Sequence, residues 1–492
     1  MSTSISPSTP TQLLTLIQTS LESLQRAGHT IPDLDDLSTP DTFRADPAAA
    51  LAADTAAAAA LHLAAMLMPP HVVLHHVTGG HYRSAAARVC LESHVTEILR
   101  EAGPQGMHVD EIAAKNGQDP GKLARFLRYL AMNHVYREVS PDVFANTRIS
   151  SLLDTRKPSA EVIADPEHKY DRTVSLAAHV GKNLDDTFKA SAHIWEALSD
   201  PQHPARTPFS RAFGTDDTVW AFYARPGQKY RQRRFDSAMR GVEAMQPADA
   251  ILDAYDWTAL PPGAVVVDVG GGVGTSAFAL ARAYPALRLV VQDRQNVIED
   301  AKKLWSATMP EAVDSGRVSL EAHDFFTPQP TRTPNAPASV FLLKQITHDW
   351  SDAHARTILR HLRAAAGRET RLVLVDTVMG YACRVPDVGG EQGKGEEGEE
   401  VPGARPVEAP APLLANFGAV REVGAQIDIA MYILYNGQER TLPHLRRLLS
   451  EAGWALRAVR RNAADSAYLP GVEAVPIFES EDEGFEKIVD FA

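Results

Sequence analysis

The chain has 492 residues, a formal net charge of -13, and 44% hydrophobic against 23% charged residues. That length calls for two or three domains with ample core, and the acidic excess argues against a nucleic-acid partner, whose phosphates it would repel. Two cysteines, Cys90 and Cys383, exclude a disulfide scaffold or a cysteine-rich metal site and fit a reducing compartment.

The Ser/Thr/Pro-rich start carries neither a basic n-region nor an apolar h-region, so a soluble, cytoplasmic protein is expected. Residues 11–26 place Leu14, Ile17, Leu21 and Leu24 on one helical face. The Ala-rich run from Ala48 to Met68 resembles a membrane span in composition. Asp54 and His62 interrupt it and Pro69-Pro70 stop it, so a buried or dimer-packing helix is expected, with no membrane.

Ala86–Ala102 reads as one helix and His108–Asn116 as a short second. Gly121–Asn133 reads as a third, with Asp119 as N-cap and Pro120 in its first turn. Tyr136–Val139 and Val143–Asn146 are short strands around a Ser-Pro-Asp turn. Three helices and a hairpin make the winged helix-turn-helix pattern, which serves either DNA binding or dimerisation. Lys122, Arg125 and Arg128 on the third helix suit DNA; the acidic chain and the catalytic pattern downstream favour a structural module.

Residues 161–245 read as a helical connector, and the basic run Arg231, Arg233, Arg234 within it as a solvated helix face. From Ala264 strands and helices alternate. Strands are expected at 264–269, 287–293, 317–322, 338–344, 371–377, 455–460 and 473–478, which is a doubly wound α/β sheet. The Gly-, Pro- and Glu-rich stretch 381–415 breaks the alternation, and its composition predicts a disordered acidic insertion. The expected domains are 1–160, 161–245 and 246–492.

Two strand ends carry chemistry. Val265–Ser276 is an apolar strand running into a glycine-rich loop and a helix, where backbone and helix amides can approach an anionic ligand. A dinucleotide fingerprint through Gly270 and Gly272 would need glycine or alanine where Thr275 stands. The spacing of Asp268, Gly270, Gly272 and Gly274 is instead D-x-G-x-G-x-G. Asp293 ends the next strand, and Asp324 and Phe325 follow the one after. An ordinary tight turn would account for one such loop, but not for three strand ends in order. The series resembles that of class I S-adenosylmethionine-dependent methyltransferases. The resemblance implies that the glycine loop receives the cofactor, Asp293 its ribose hydroxyls and Asp324 its adenine.

The second strand end is Phe341–Trp350, followed by Ser351 and Asp352. It puts His348 just past the carboxyl end of a strand, where open α/β sheets bind ligands and where an imidazole can act as a general base. A hydrogen-bonded turn residue is the bland alternative. Leu343–Asp352 resembles the L-K-x-x-x-H-D-W-S-D signature of the caffeate-type, plant and fungal small-molecule O-methyltransferases. Asp428–Thr441 resembles their D-x-x-M…N-G-x-E-R-T motif, and the winged-helix domain is their dimerisation domain. The Ala-Phe-Gly-Thr-Asp216 and Phe235–Met239 segments are closest to fungal members.

The resemblance implies a Rossmann-like sheet, a homodimer formed through the N-terminal domain, S-adenosylmethionine as cofactor and no metal. It implies His348 as the base, Glu439 as the carboxylate that orients it, and Asp376 as a second acid, where a longer glutamate is common. Lys344 corresponds to the residue near the methionine carboxylate and Trp350 to an aromatic packed on adenine. Phe235, Met239, Met431 and Asn436 correspond to acceptor-pocket positions. The acceptor expected is a small hydroxylated aromatic or polyketide-like metabolite. Phenols ionise near about 10 and histidine near about 6.5, so proton removal coupled to methyl transfer is expected rather than prior ionisation. A relative with diverted hydroxylase or decarboxylase chemistry often lacks the base, so His348 speaks against that alternative.

Overall fold

The computed structural model describes residues 8–173, 175–246, 250–330, 338–385, 401–461 and 469–478. The chain divides into two units. One comprises Met1–Ala248, Ala382–Arg384 and Glu408–Asn436; the other comprises Asp249–Tyr381, Val385–Val407 and Gly437–Ala492.

In the first unit, α1 (Thr9–Arg26) packs on α2 (Pro47–Leu67), which begins at a proline with Asp46 capping the Ala48 amide. Helix α2 is long and apolar enough to cross a membrane. Its Ala58 and Ala59 nevertheless pack with Leu13, Ala409, Leu413 and Phe417. Its Asp54 is buried between Arg44 at 3.1 Å and Arg421 at 2.9 Å. Helix α3 (Pro70–Thr78) has no buried residue.

The single helix expected at 86–102 is two, α4 (Gly80–Glu92) and α5 (Val95–Ala102). The break has a local cause. Ser93 Oγ turns back onto the Val89 carbonyl at 2.6 Å, and His94 takes a left-handed φ of 58°. Next come α6 (Val109–Asn116) and α7 (Pro120–Ala131), the latter capped by Asp119, which accepts the Lys122 N–H at 2.8 Å. Strands β1 (Met107–His108), β2 (Tyr136–Ser140) and β3 (Val143–Asn146) form an antiparallel sheet in the order β1-β3-β2. Ile98, Ile112, Leu127 and Phe144 fill the core of this winged-helix arrangement. Arg128, one of the basic residues on α7, bonds Glu138 and Asp142 within the same unit.

The connector is helical, with one correction. Arg234 on the helix Lys229–Met245 is not solvated but 1% exposed, and it lies 2.8 Å from Asp185 and 2.9 Å from Asp186. Both carboxylates sit on a π-helical turn, Asn183–Thr187, and Arg231 also pairs with Asp186 at 2.8 Å. A buried cation of this kind persists only with such partners.

In the second unit, β4 (Val265–Val269), β5 (Arg288–Asp293), β6 (Val318–Ala322), β7 (Val340–Lys344) and β8 (Arg371–Val375) run parallel. Antiparallel β11 (Trp454–Arg460) and β12 (Gly471–Pro476) complete a sheet ordered β11-β12-β8-β7-β4-β5-β6. Every residue of β4 is buried, as expected for a parallel strand covered on both faces. The seven expected strands are all present. The chain moves outward from β4 through β5 to β6 and then returns to β7 on the other side of β4. That reversal opens a crevice at the carboxyl ends of β4 and β7, the usual ligand position. A two-stranded parallel pair, β9 (Val378–Met379) with β10 (Arg440–Thr441), adds to this end.

The stretch expected as a disordered insertion, 381–415, needs correction over 401–415. Val401 and Ala404 join the core of the second unit, and Ala409 and Leu413 that of the first. The Val459 amide donates to the Pro402 carbonyl at 2.9 Å. Apolar side chains spaced between the prolines find cover here despite the polar average composition. The acidic centre, 386–400, lies outside the described residues. Residues 408–436 also group with the first unit, because Ile433 and Leu434 of the helix Val423–Tyr435 pack with Phe235 and Tyr223.

Candidate active site

The glycine loop follows β4 directly. Gly270, Gly272 and Gly274 take φ of +71°, +60° and +91°, a region that L side chains rarely adopt. Gly271 is constrained by space instead. A Cβ there would stand 2.6 Å from the Asp268 carboxylate carbon, so backbone and carboxylate are in direct contact. The Gly272 amide donates to Asp293 Oδ2 at 2.9 Å, tying the loop to the end of β5. From beneath, the Trp305 indole N–H donates to the Val273 carbonyl at 3.0 Å, and its ring stacks on Phe278. Asp324 accepts the Phe326 amide at 3.0 Å after β6. Phe325 and Phe326 meet Trp350 edge-on at 5.9 and 4.7 Å. Lys344 closes β7.

Thus Asp268, Gly270, Gly272, Gly274, Asp293, Asp324, Phe325, Lys344 and Trp350 all stand at the carboxyl edge of one sheet. They fit the S-adenosyl cofactor implied by the sequence. A loop stripped of side chains lies beside two strand-end carboxylates, with an aromatic cluster alongside.

The base candidate is set by the turn after β7. Gln345 takes a positive φ of 54°, with its amide on the Val375 carbonyl at 3.0 Å, and this bends the chain into the short helix Thr347–Asp349. His348 is buried. Its Nδ1–H donates to Glu439 Oε1 at 2.7 Å, since a carboxylate can only accept. Nε2 is left with a lone pair in the neutral ring and lies 3.7 Å from Asp349 Oδ1. Burial disfavours the imidazolium. The hydrogen bond to Glu439, then the charges of Asp349, Glu439 and Asp376, outweigh burial and raise the group from 6.5 to about 10.

Asp376 does reach this site, but its hydrogen bond comes from the Thr347 hydroxyl, one residue before the imidazole. Its contribution to His348 is charge. Its other oxygen is buried without a hydrogen-bond partner among the described residues.

Four residues outside the expected set belong to the same constellation. Asp349 adds a third carboxylate. Thr347 holds Asp376. Gly437 is pressed so close to the turn that a Cβ would stand 2.2 Å from the His348 carbonyl. Arg440, 4% exposed, donates to the Thr347 and Trp350 carbonyls, each at 2.8 Å. The N-G-x-E-R-T pattern contained Gly437 and Arg440, but only their contacts reveal what they hold.

The acceptor candidates all belong to the first unit. Phe235 is buried among Phe209, Phe222 and Tyr223, edge-on to Trp220 at 5.1 Å. Met239, one turn along the same helix, is 38% exposed. Met431 lies on the helix Val423–Tyr435, and Asn436 ends that helix at φ +57°.

Residues 195–388 match an O-methyltransferase domain, and residues 75–156 match an O-methyltransferase dimerisation domain. The chain is 48% identical to 4-O-methyltransferase 1 of Phanerochaete chrysosporium, across 96% of this chain and 100% of that protein. It is 39% identical to an O-methyltransferase of Armillaria gallica, again across 96% and 100%. The solved structure of LepI in complex with SAM aligns with a TM-score of 0.62 at 18% identity, over 96% of this chain and 100% of that one, a likeness of fold alone.

Proposed function

We propose that this chain, which belongs to the S-adenosylmethionine-dependent O-methyltransferase family, methylates a hydroxyl of a small aromatic or polyketide-like metabolite with His348 as general base. The observation that carries the base assignment is the 2.7 Å bond between His348 Nδ1 and Glu439 in a buried turn beside the glycine loop. That bond fixes the tautomer, so Nε2 presents the lone pair. When bound, S-adenosylmethionine supplies a methyl group activated by its sulfonium, whose positive charge also opposes the imidazolium. With that cofactor bound, His348 Nε2 would accept the proton of the acceptor hydroxyl as the oxygen is methylated.

The carboxylates serve the charge that appears. A raised His348 lies close to a phenol, whose pKa is about 10, so the proton moves between groups of similar affinity. Glu439, Asp349 and Asp376 stabilise the cation in a site where burial would otherwise disfavour it. Asp268, Asp293, Asp324, Lys344 and Trp350 are assigned to the cofactor. Phe235, Met239, Met431 and Asn436 are assigned to the acceptor. The N-terminal match supports a homodimer formed through that domain.

The test is a mass-shift screen of catechol, 4-substituted phenols and hydroxylated polyketide-type rings with methyl-labelled cofactor, run with wild type and His348→Ala. The expected result is a labelled ether from wild type and a kcat lowered about 100- to 10,000-fold in the variant, with binding of S-adenosylhomocysteine retained. Wild-type turnover by His348→Ala would sink the base assignment.

A further inference from the structure

We propose that Arg440 is a positioning residue of the reaction. It holds the imidazole of His348 and the indole of Trp350 in one fixed arrangement, and this inference rests on the general-base reading of His348. Within the turn that carries both side chains, the Thr347 carbonyl receives only a long bond from the Trp350 amide, at 3.3 Å. Arg440 adds a shorter bond to that carbonyl from Nη1 and donates to the Trp350 carbonyl from Nη2, each at 2.8 Å. Those carbonyls bracket His348 and Asp349. Glu439, immediately before Arg440 in sequence, holds the imidazole from the side-chain direction at 2.7 Å. Two residues adjacent in sequence, Glu439 and Arg440, therefore grip the turn by its ring and by its backbone.

The guanidinium is itself held. Its Nε donates to Asp352 Oδ1 at 3.0 Å, and Asp352 Oδ2 lies 2.7 Å from His444 Nε2. Gln438 donates to the same Asp352 from its side chain at 2.9 Å and to the His348 carbonyl from its backbone at 2.9 Å. Arg440 pairs with Val378 in the β9–β10 ladder, two residues beyond Asp376. Only a planar group with several fixed donors serves two carbonyls and a carboxylate at once, and a lysine ammonium does not reproduce that fork. A buried arginine used this way is not serving surface charge, since its side chain is 3% exposed.

The test is a double-mutant cycle on the full-length protein. Arg440→Ala, His348→Gln and the double variant are compared for kcat on whichever phenol of the screen turns over, normalised to S-adenosylhomocysteine-binding sites counted by calorimetry. Arg440→Ala is expected to lower kcat about 100-fold, the scale of an ångström-level misplacement, with little change in acceptor KM. Arg440→Lys does not restore it, whereas added guanidinium ion does in part. In the His348→Gln background, removing Arg440 adds no further loss, because the group it positions is gone. Fully multiplicative losses overturn the proposal, as does a loss that vanishes on normalising to binding sites. A His348→Gln variant that keeps its rate overturns the base reading instead, so the two failures are distinct. Should Arg440→Ala not fold, Asp352→Asn removes one anchor and leaves the guanidinium in place. A smaller kcat loss that is likewise non-additive with His348→Gln is then expected, and an unchanged kcat overturns the proposal.

Discussion

Replacing Glu439 by glutamine tests the electrostatics of the turn directly. Glutamine keeps the size and can still accept the Nδ1–H bond, but it removes the charge 2.7 Å from the ring. The raised value of about 10 stands against an ordinary 6.5, a difference on the order of 5 kcal/mol in favour of the imidazolium. A carboxylate in direct contact supplies about one to three pH units of such a shift. Asp349 and Asp376 remain, while burial still works against the cation. A general base must be neutral, so the rate rises with pH through its pKa. The ascending limb of the kcat/KM profile should therefore move to lower pH by about one to three units in Glu439→Gln. Its plateau should fall, because the cation formed during transfer has lost a partner. The assay is formation of S-adenosylhomocysteine from pH 5.5 to 10.5 with one phenol for both proteins, so ionisation of the phenol cancels. A limb that stays in place, or moves upward, would refute the assignment of Glu439 as the main support of the cation.

Two further expectations follow from the same geometry. Gly271→Ala puts a methyl group against the Asp268 carboxylate, and overpacking of this kind costs about 1–3 kcal/mol. Calorimetry should show S-adenosylhomocysteine bound about tenfold or more weakly, and undiminished affinity would mean that the loop does not carry the cofactor. The second concerns pH and stability. Because the folded state raises His348, its stabilisation is complete below pH 6.5 and is lost as pH rises toward about 10. Melting temperatures of wild type should decline over that interval more than those of His348→Gln. Parallel curves would contradict the raised value.

The strands of the second unit were legible because parallel strands are apolar on both faces, and the run Val265–Val269 admits no helical face. The glycine loop was legible from spacing, since positive φ and close backbone approach restrict residue type. Contacts set by register were not. Asp376 was expected as a second acid beside His348, but that its hydrogen bond would come from Thr347 is nowhere in the linear order. Arg234 looked solvated because its carboxylates lie 48 and 49 positions earlier, on a π turn that periodicity does not foresee. Residues 401–415 were misread because composition averages over a window, whereas burial acts on single side chains such as Val401 and Ala409.

The strand order also dictates an order of assembly. Leu372 to Val375 of β8 are wholly buried, yet one of the two neighbours of that strand is β12, the last strand among the described residues. During synthesis β8 can pair with β7 long before Gly471–Pro476 exists, leaving one edge open in the meantime. An apolar strand with free amides and carbonyls is a template for pairing with other chains. Closure of the C-terminal hairpin over β8 is therefore the step that ends this exposure. Truncation ahead of residue 471 should yield insoluble chains although the glycine loop and the His348 turn are both complete in sequence.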